Sequence, residues 1–208
     1  MSANKPILDE FFIDAVAEII NVGIGSTAAS LSEMVNKEVN LSVPGVEFAT
    51  RSDAEDIIKS KAKTDLSGVK QYFEGAFSGE AILLFPEKQS LELVRAVVGD
   101  EVTLDDLTEM EQDAMKEIGN VILNACLCGI ADMFGQQLRG EIPGFVKGTV
   151  EQIFISENKN MPEKDIVLLL KMDFAIERKN IQGYVTFLLD LPSIDALKNQ
   201  IQNFMGVG

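Results

Sequence analysis

The chain reads as an α/β (α+β) protein, a pseudo-twofold duplicate whose long helices pack on a mainly antiparallel sheet. Three observations predict this. First, a set of residues recurs at a fixed offset: Asp14, Glu18, Asn21 and Pro44 return as Asp113, Glu117, Asn120 and Pro143, since 113 − 14 and 143 − 44 are both 99, and Gly45 and Gly144 follow the two prolines. Second, each Asp-Glu-Asn set stands in a long stretch whose apolar residues recur at helical spacing. Third, Gly79 to Phe85 before Pro86, and Gly183 to Leu189 before Pro192, read as buried strands, each followed by an amphipathic segment. Here the offset has grown, so loops were inserted. The 208 residues therefore divide into repeats of about 8–100 and 107–206, joined near Asp100 to Thr108. No Pro/Ser-rich linker separates them, which favours one fused domain.

In chain order, Phe12, Val16, Ile20 and Leu31 define one helix from Leu8 to about Asn36, with Asp9 as its N-cap and Asn36 as its stop. Val39 to Ala49 follows as strand. A short helix near Asp53 to Ala62, strands near Val69 to Phe77 and Ala81 to Phe85, and a helix near Ser90 to Val98 complete the first repeat. The second opens on Thr108-x-x-Glu111, a capping-box pattern, and its helix runs through Asn120 to near Gly135, where glycine readily takes a left-handed cap. Gln137 to Ile155 is rich enough in Val, Ile and Phe to be mainly strand. Strands near Asp165 to Ile176 and Ile181 to Leu189 and a helix near Ser193 to Phe204 close the chain. Pro44 and Pro143 belong at a sheet edge or bulge, because proline cannot donate to a ladder.

Composition narrows the chemistry. With 18 Lys and Arg against 33 Asp and Glu the net charge is −15, and no basic cluster offsets it, so phosphate backbones and anionic lipid are repelled. There is no His, which removes Ser-His and Cys-His nucleophile systems and the commonest metal ligand. Cys126 and Cys128 are too few for a thiolate zinc site, and two residues apart on a helix they point to different sides; they read as buried free thiols of a reducing compartment. Met1 to Pro6 lacks an apolar signal core, and aliphatic runs such as Ile166 to Leu170 are too short to span a bilayer, so a cytoplasmic protein is expected.

On a helix, positions 14, 18 and 21 fall at about 0°, 40° and −20°, one narrow face carrying two carboxylates and an amide. The second copy has the same geometry. Exposed acids are common on helices, and one such face alone would carry little; two at an identical offset, among flanking residues that mostly differ, point to a shared task. Without His or metal, an amide can donate and accept and so hold a water in line with an electrophile, while a carboxylate one turn away pairs with a partner's cation. Such a device suits a labile acyl phosphate already held by its own metal and lysine. Even a hundredfold gain requires only about 2.7 kcal/mol.

At these residues the sequence resembles the CheC, CheX and FliY phosphatases of chemotaxis, whose signature is Asp or Ser, three residues, Glu, two residues, Asn, twenty-two residues, Pro. Asp14-Glu18-Asn21-Pro44 and Asp113-Glu117-Asn120-Pro143 both satisfy it. Two copies in a chain of this length are most similar to CheC; CheX usually carries one, and FliY has an added motor-binding domain. The resemblance implies a phosphatase acting on the phosphoaspartate of a CheY-like response regulator. Glu18 and Glu117 would pair with the regulator's lysine, Asn21 and Asn120 would orient the attacking water, and Asp14 and Asp113 would shape the docking surface. Pro44 and Pro143 would set the loops beside the helices. It implies no metal or cofactor of the chain's own, with magnesium carried by the regulator. The family often has Gly before the Asn, giving the partner backbone room; the second copy has Gly119 there and the first Ile20, so the Glu117/Asn120 site is expected to be at least as active.

Other features are absorbed by the fold. Gly23-Ile-Gly25-Ser-Thr-Ala28 has the shape of a dinucleotide fingerprint, but it lies inside a helix with no preceding strand, where small residues serve close packing or close approach of a partner. The acidic stretch Asp100 to Glu111 reads as a solvated linker and first helical turn, and the Met and Phe residues as core. The alternative to an enzyme is a non-catalytic binding module or scaffold of the same fold, engaging the regulator or the receptor deamidase CheD. Intact Glu and Asn in both copies favour the enzyme.

Overall fold

A computed structural model describes residues 10–62, 65–99, 103–155, 166–176, 179–189 and 191–204. The first half runs α1 (Glu10–Val35), β1 (Val39–Thr50), α2 (Arg51–Lys61), β2 (Leu66–Gly75), β3 (Gly79–Pro86) and α3 (Glu87–Val98). The second runs α4 (Leu104–Phe134), β4 (Leu138–Gly140), β5 (Gly144–Gly148), α5 (Val150–Phe154), β6 (Ile166–Ile176), β7 (Lys179–Leu189) and α6 (Leu191–Phe204). The expected Asp9 cap lies outside the described residues.

Both long helices end alike. Asn36 and Gly135 take left-handed conformations, with φ of 50° and 58°. The amides of Lys37 and Gln136 then turn back to the carbonyls of Ser32 and Ala131, at 3.2 and 3.0 Å. This closes the last helical turn on its own orphan carbonyls. Asn36 stands 99 residues before Gly135, so the 99-residue correspondence extends to the helix stops.

The strands form one sheet in the order β1-β6-β7-β3-β2-β4, with β5 also on β2, and all described pairings are antiparallel. Exchanging the halves leaves this order unchanged. At its centre β3 pairs with β7, Ile82 facing Thr186, with Glu80 opposite Leu188 and Leu84 opposite Tyr184. Each half's first strand lies on the other half: β1 on β6, and β4 and β5 on β2.

Side-chain alternation divides the sheet between two cores. Ala81, Leu83 and Phe85 of β3 face the core built with α1, α4, α3 and α6, whereas Ile82 and Leu84 face a smaller one with α2 and α5. Both sides of β3 are thus buried, which explains its unbroken apolar run. Ile13–Val35 and Glu109–Asp132 are by length and composition apolar enough to cross a bilayer, a property that a search for unbroken aliphatic runs does not reveal. In the fold they are the main helices of the larger core and pack on one another.

Several expectations need correction. Helix α4 begins at Leu104, a full turn before Thr108, so Thr108-x-x-Glu111 is not a capping box. Glu111 is not solvated: its side chain is 3% exposed, accepting from Ser90 Oγ at 2.8 Å and Lys147 Nζ at 3.2 Å. Lys147 also meets Glu87 at 2.8 Å, so a buried carboxylate joins α4 to α3 and β5. Gln137 to Ile155 is only partly strand, because Thr149 opens α5 through a capping box with Gln152. Finally, Cys126 is buried but Cys128 is exposed, on the opposite side of α4.

Gly119 does not make room for a partner. It is buried in α4, and a Cβ there would meet Val69 Cγ2 of β2 at 1.9 Å, so the missing side chain is what seats this helix on the sheet. Ile20, its counterpart, is itself fully buried. The helices α1 and α4 touch through another pair of glycines: a Cβ on Gly23 would lie 3.2 Å from Gly129 Cα. The small residues of the fingerprint-like stretch serve helix packing at Gly23.

Gly119→Ala is expected to cost about 1–3 kcal/mol by overpacking against a β-branched, fully buried neighbour. The denaturant midpoint should fall, and Val69→Ala in the same chain should recover part of the loss. A thiol reagent should modify Cys128 quickly in the native protein and Cys126 only on unfolding, because burial pushes the Cys126 thiol up to about 12.

Candidate functional site

Each long helix presents its polar stripe away from the sheet. On α1, Asp14 and Glu18 are exposed and Asn21 is half-buried; on α4, Asp113, Glu117 and Asn120 are all exposed. Asp113 is 92% exposed and stands 3.9 Å from Lys116. Each trio shares one helix face, as the spacing predicts. The two asparagines nevertheless differ in what holds them.

Asn21 is tied to the strand that follows its helix. Its Oδ1 accepts from the Val43 amide at 3.0 Å and its Nδ2 donates to the Val43 carbonyl at 3.4 Å. Val43 and Pro44 lie where the register of β1 on β6 shifts, between Ser42 and Gly45. A bulge removes its residues from the ladder, and β1 is an edge strand. The Asn21 amide takes the place of the missing strand neighbour for Val43, which is 4% exposed. This gives the fixed Asn-to-Pro spacing of the first copy a structural meaning.

In the second copy the chain solves the same place differently. Pro143 falls in the break between β4 and β5, and it is buried while Pro44 is exposed. Ile142, the counterpart of Val43, is 93% exposed. Asn120 turns instead to its own helix, where Asn124 Nδ2 donates to its Oδ1 at 2.8 Å. Asn124 Oδ1 in turn accepts from Gln71 Nε2 of β2 at 3.0 Å, and the same nitrogen donates to the Glu141 carbonyl at 2.7 Å. Gln71 and Asn124 are residues that motif reasoning misses. The signal for Asn124 is that it falls at the duplication offset from Gly25, one turn after the motif Asn.

Chemically, both faces offer a carboxylate and an amide on a rigid helix. Among the described residues no group of three or more His, Cys, Asp or Glu side chains converges as a metal site would require. A surface depression lies elsewhere, between the β2–β3 turn, Arg139 and the start of α6, and contains none of the motif residues. The motif carboxylates and Asn120 stand exposed on outward helix faces, an arrangement suited to a macromolecular partner rather than to an enclosed small molecule.

Comparison with known proteins agrees with the motif. Residues 13–47 match the CheC-like family and residues 68–163 match the chemotaxis phosphatase CheX family. The chain is 22% identical over 191 residues to the CheY-P phosphatase CheC of Bacillus subtilis, covering 89% of this chain and 91% of that protein. It is 26% identical over 196 residues to the flagellar motor switch phosphatase FliY of the same organism, covering 89% of this chain but 50% of FliY. The crystal structure of Thermotoga maritima FliY superposes with a TM-score of 0.73 at 18% identity, covering 96% of this chain and 98% of that one. The fold is therefore shared with FliY.

The contrast between the asparagines has a measurable consequence. Asn21→Ala leaves both backbone groups of Val43 without their partner and should lower stability by about 1–3 kcal/mol. Asn120→Ala removes an exposed side chain and should stay within about 0.5 kcal/mol. Chemical denaturation of the two variants checks this ordering.

Proposed function

From a chain that is a relative of the CheC, CheX and FliY proteins, we propose that it is a phosphatase that removes the phosphoryl group from the phosphoaspartate of a CheY-like response regulator, in cytoplasmic chemotaxis signalling. The observation that carries the proposal is the duplicated Glu and Asn on one solvent-facing helix stripe, with Glu117 and Asn120 both exposed. Support comes from the CheC and FliY relatives, a CheY-P phosphatase and a flagellar motor switch phosphatase at 22% and 26% identity. We read residues 1–208 as one domain of two repeats, a reading supported by the exchange-symmetric sheet order.

In this mechanism the partner brings the labile bond. Glu117 pairs with a lysine of the regulator and aligns the two proteins. Asn120 holds a water through its amide, opposite the bond to be broken. The water oxygen bonds to phosphorus, the aspartyl oxygen leaves with the electron pair, and the products are the free carboxylate and inorganic phosphate. The amide contributes orientation, not basicity, so no perturbed acid is needed. Magnesium belongs to the regulator, and the chain supplies no metal. Asp14 and Asp113 line the docking faces, while Pro44 and Pro143 shape the neighbouring loops.

The two sites are unequal in this reading. Asn21 already spends one donor and one acceptor on Val43, whereas Asn120 Nδ2 makes no hydrogen bond to a described residue. Glu18 and Asn21 therefore contribute more to docking, and Glu117 and Asn120 more to turnover. The inequality lies in the two asparagines and not in Gly119, which faces the sheet.

Decay of the phosphorylated regulator, followed with and without the protein, tests this. Wild type should accelerate decay, Asn120→Ala should lose at least about tenfold of the effect, and Asn21→Ala should lose less. Unchanged decay with wild type leaves only the binding module. Equal losses, or a larger loss at Asn21, sink the asymmetry.

A further inference from the structure

Asn120 is the end of a hydrogen-bond relay whose direction is set by a backbone carbonyl. Gln71 lies in the middle of β2 and is 2% exposed. The Glu141 carbonyl can only accept, so the Gln71 atom facing it must be the amide nitrogen. That nitrogen's second hydrogen goes to Asn124, which must therefore present its oxygen to Gln71. Asn124 is left to donate through Nδ2, and Asn120 is forced to accept through Oδ1. The Nδ2 of Asn120 is then the end turned away from the relay.

We propose that Asn124 and Gln71 are positioning residues that fix the amide orientation of Asn120 and so select which of its ends meets the attacking water; this rests on the phosphatase reading above. Two further observations support it. Gln71 Oε1 is buried without a hydrogen-bond partner among the described residues, so this glutamine costs stability that an apolar residue would not. Gly140 leaves the space the relay occupies: a Cβ there would come within 2.2 Å of Gln71 Nε2 and 3.4 Å of Asn124 Oδ1.

The first site lacks both members. Gly25 stands where Asn124 does. Gln71 pairs with Ala81, and at the matching place on the other hairpin Leu170 pairs with Val185. Asn21 is held directly by the Val43 backbone, so an amide oriented through a relay of side chains with its Nδ2 left turned away belongs to the second site alone, and it gives that site a specialised part in turnover.

The test uses the full chain carrying Glu18→Ala, so that the second site dominates, and a phosphorylated CheY-like regulator. Asn124→Ala and Gln71→Leu should each lower kcat about tenfold while KM stays within about twofold. Gln71→Leu should unfold at the same or a higher denaturant concentration, which a merely structural role would not predict. Gly140→Ala, which displaces the Gln71 amide without deleting a polar group, should lower kcat similarly. Side-chain amide NMR provides an independent readout: Asn124→Ala should move the Asn120 NH2 signals towards those of a freely rotating amide. Wild-type kcat in Asn124→Ala and Gln71→Leu, with loss in Asn120→Ala, overturns the proposal. So do unmoved Asn120 signals. Inactivity of the wild type overturns the phosphatase reading alone, and the NMR result still decides the relay.

Discussion

Each half of this protein leaves one side of its β-hairpin to be covered by the other half. Strands β2 and β3 need β4 and β5 on one side, while β6 and β7 need β1. Unpaired strand edges in a folded domain invite pairing with other chains, and exchange of the first strands covers both at once. The rest follows from that exchange. The long helix preceding each exchanged strand is carried across the same face of the sheet, the two helices meet at Gly23 and Gly129, and both polar stripes are turned outwards. Two motif-bearing surfaces are therefore carried on one sheet and one shared core.

The two sites carry the same residues at the same offset, and packing holds them differently. In the first, an amide completes a strand at a bulge, so the motif residue is part of the fold's hydrogen-bond accounting. In the second, the loop before Pro143 no longer needs that amide, and buried Gln71 reaches the loop from below. The same residue type at the same spacing serves as a structural plug in one copy and as a surface group in the other. A motif match alone therefore predicts placement on a helix face better than it predicts what the side chain is free to do.

Much of the architecture was legible because periodicity and punctuation agreed. Both helix stops, the placing of the prolines at an edge and a break, and the buried runs of β3 and β7 follow from local rules that tertiary contacts did not overturn. The misreadings share a cause. Thr108-x-x-Glu111 satisfies a local pattern, but Ser90 and Lys147 reach Glu111 from distant elements. Gly119 suggests access because it adjoins the motif, but its neighbour is Val69, 50 positions earlier in the chain. Gln71 could not be linked to Asn120 by spacing at all, since only the assembled sheet brings them together.

The exchanged strands also bear on how the protein is made. Val39 pairs with Ile176, 176 − 39 = 137 residues later. At a synthesis rate of about 5–20 residues per second, β1 leaves the ribosome on the order of ten seconds before its partner. During that interval the first repeat can form its own hairpin and helices, but the outer face of β2 and the whole of β1 await sequence not yet translated. The symmetry that closes the finished sheet thus makes the nascent chain dependent on protection against pairing with its neighbours, and non-local pairing of this kind is slow to form.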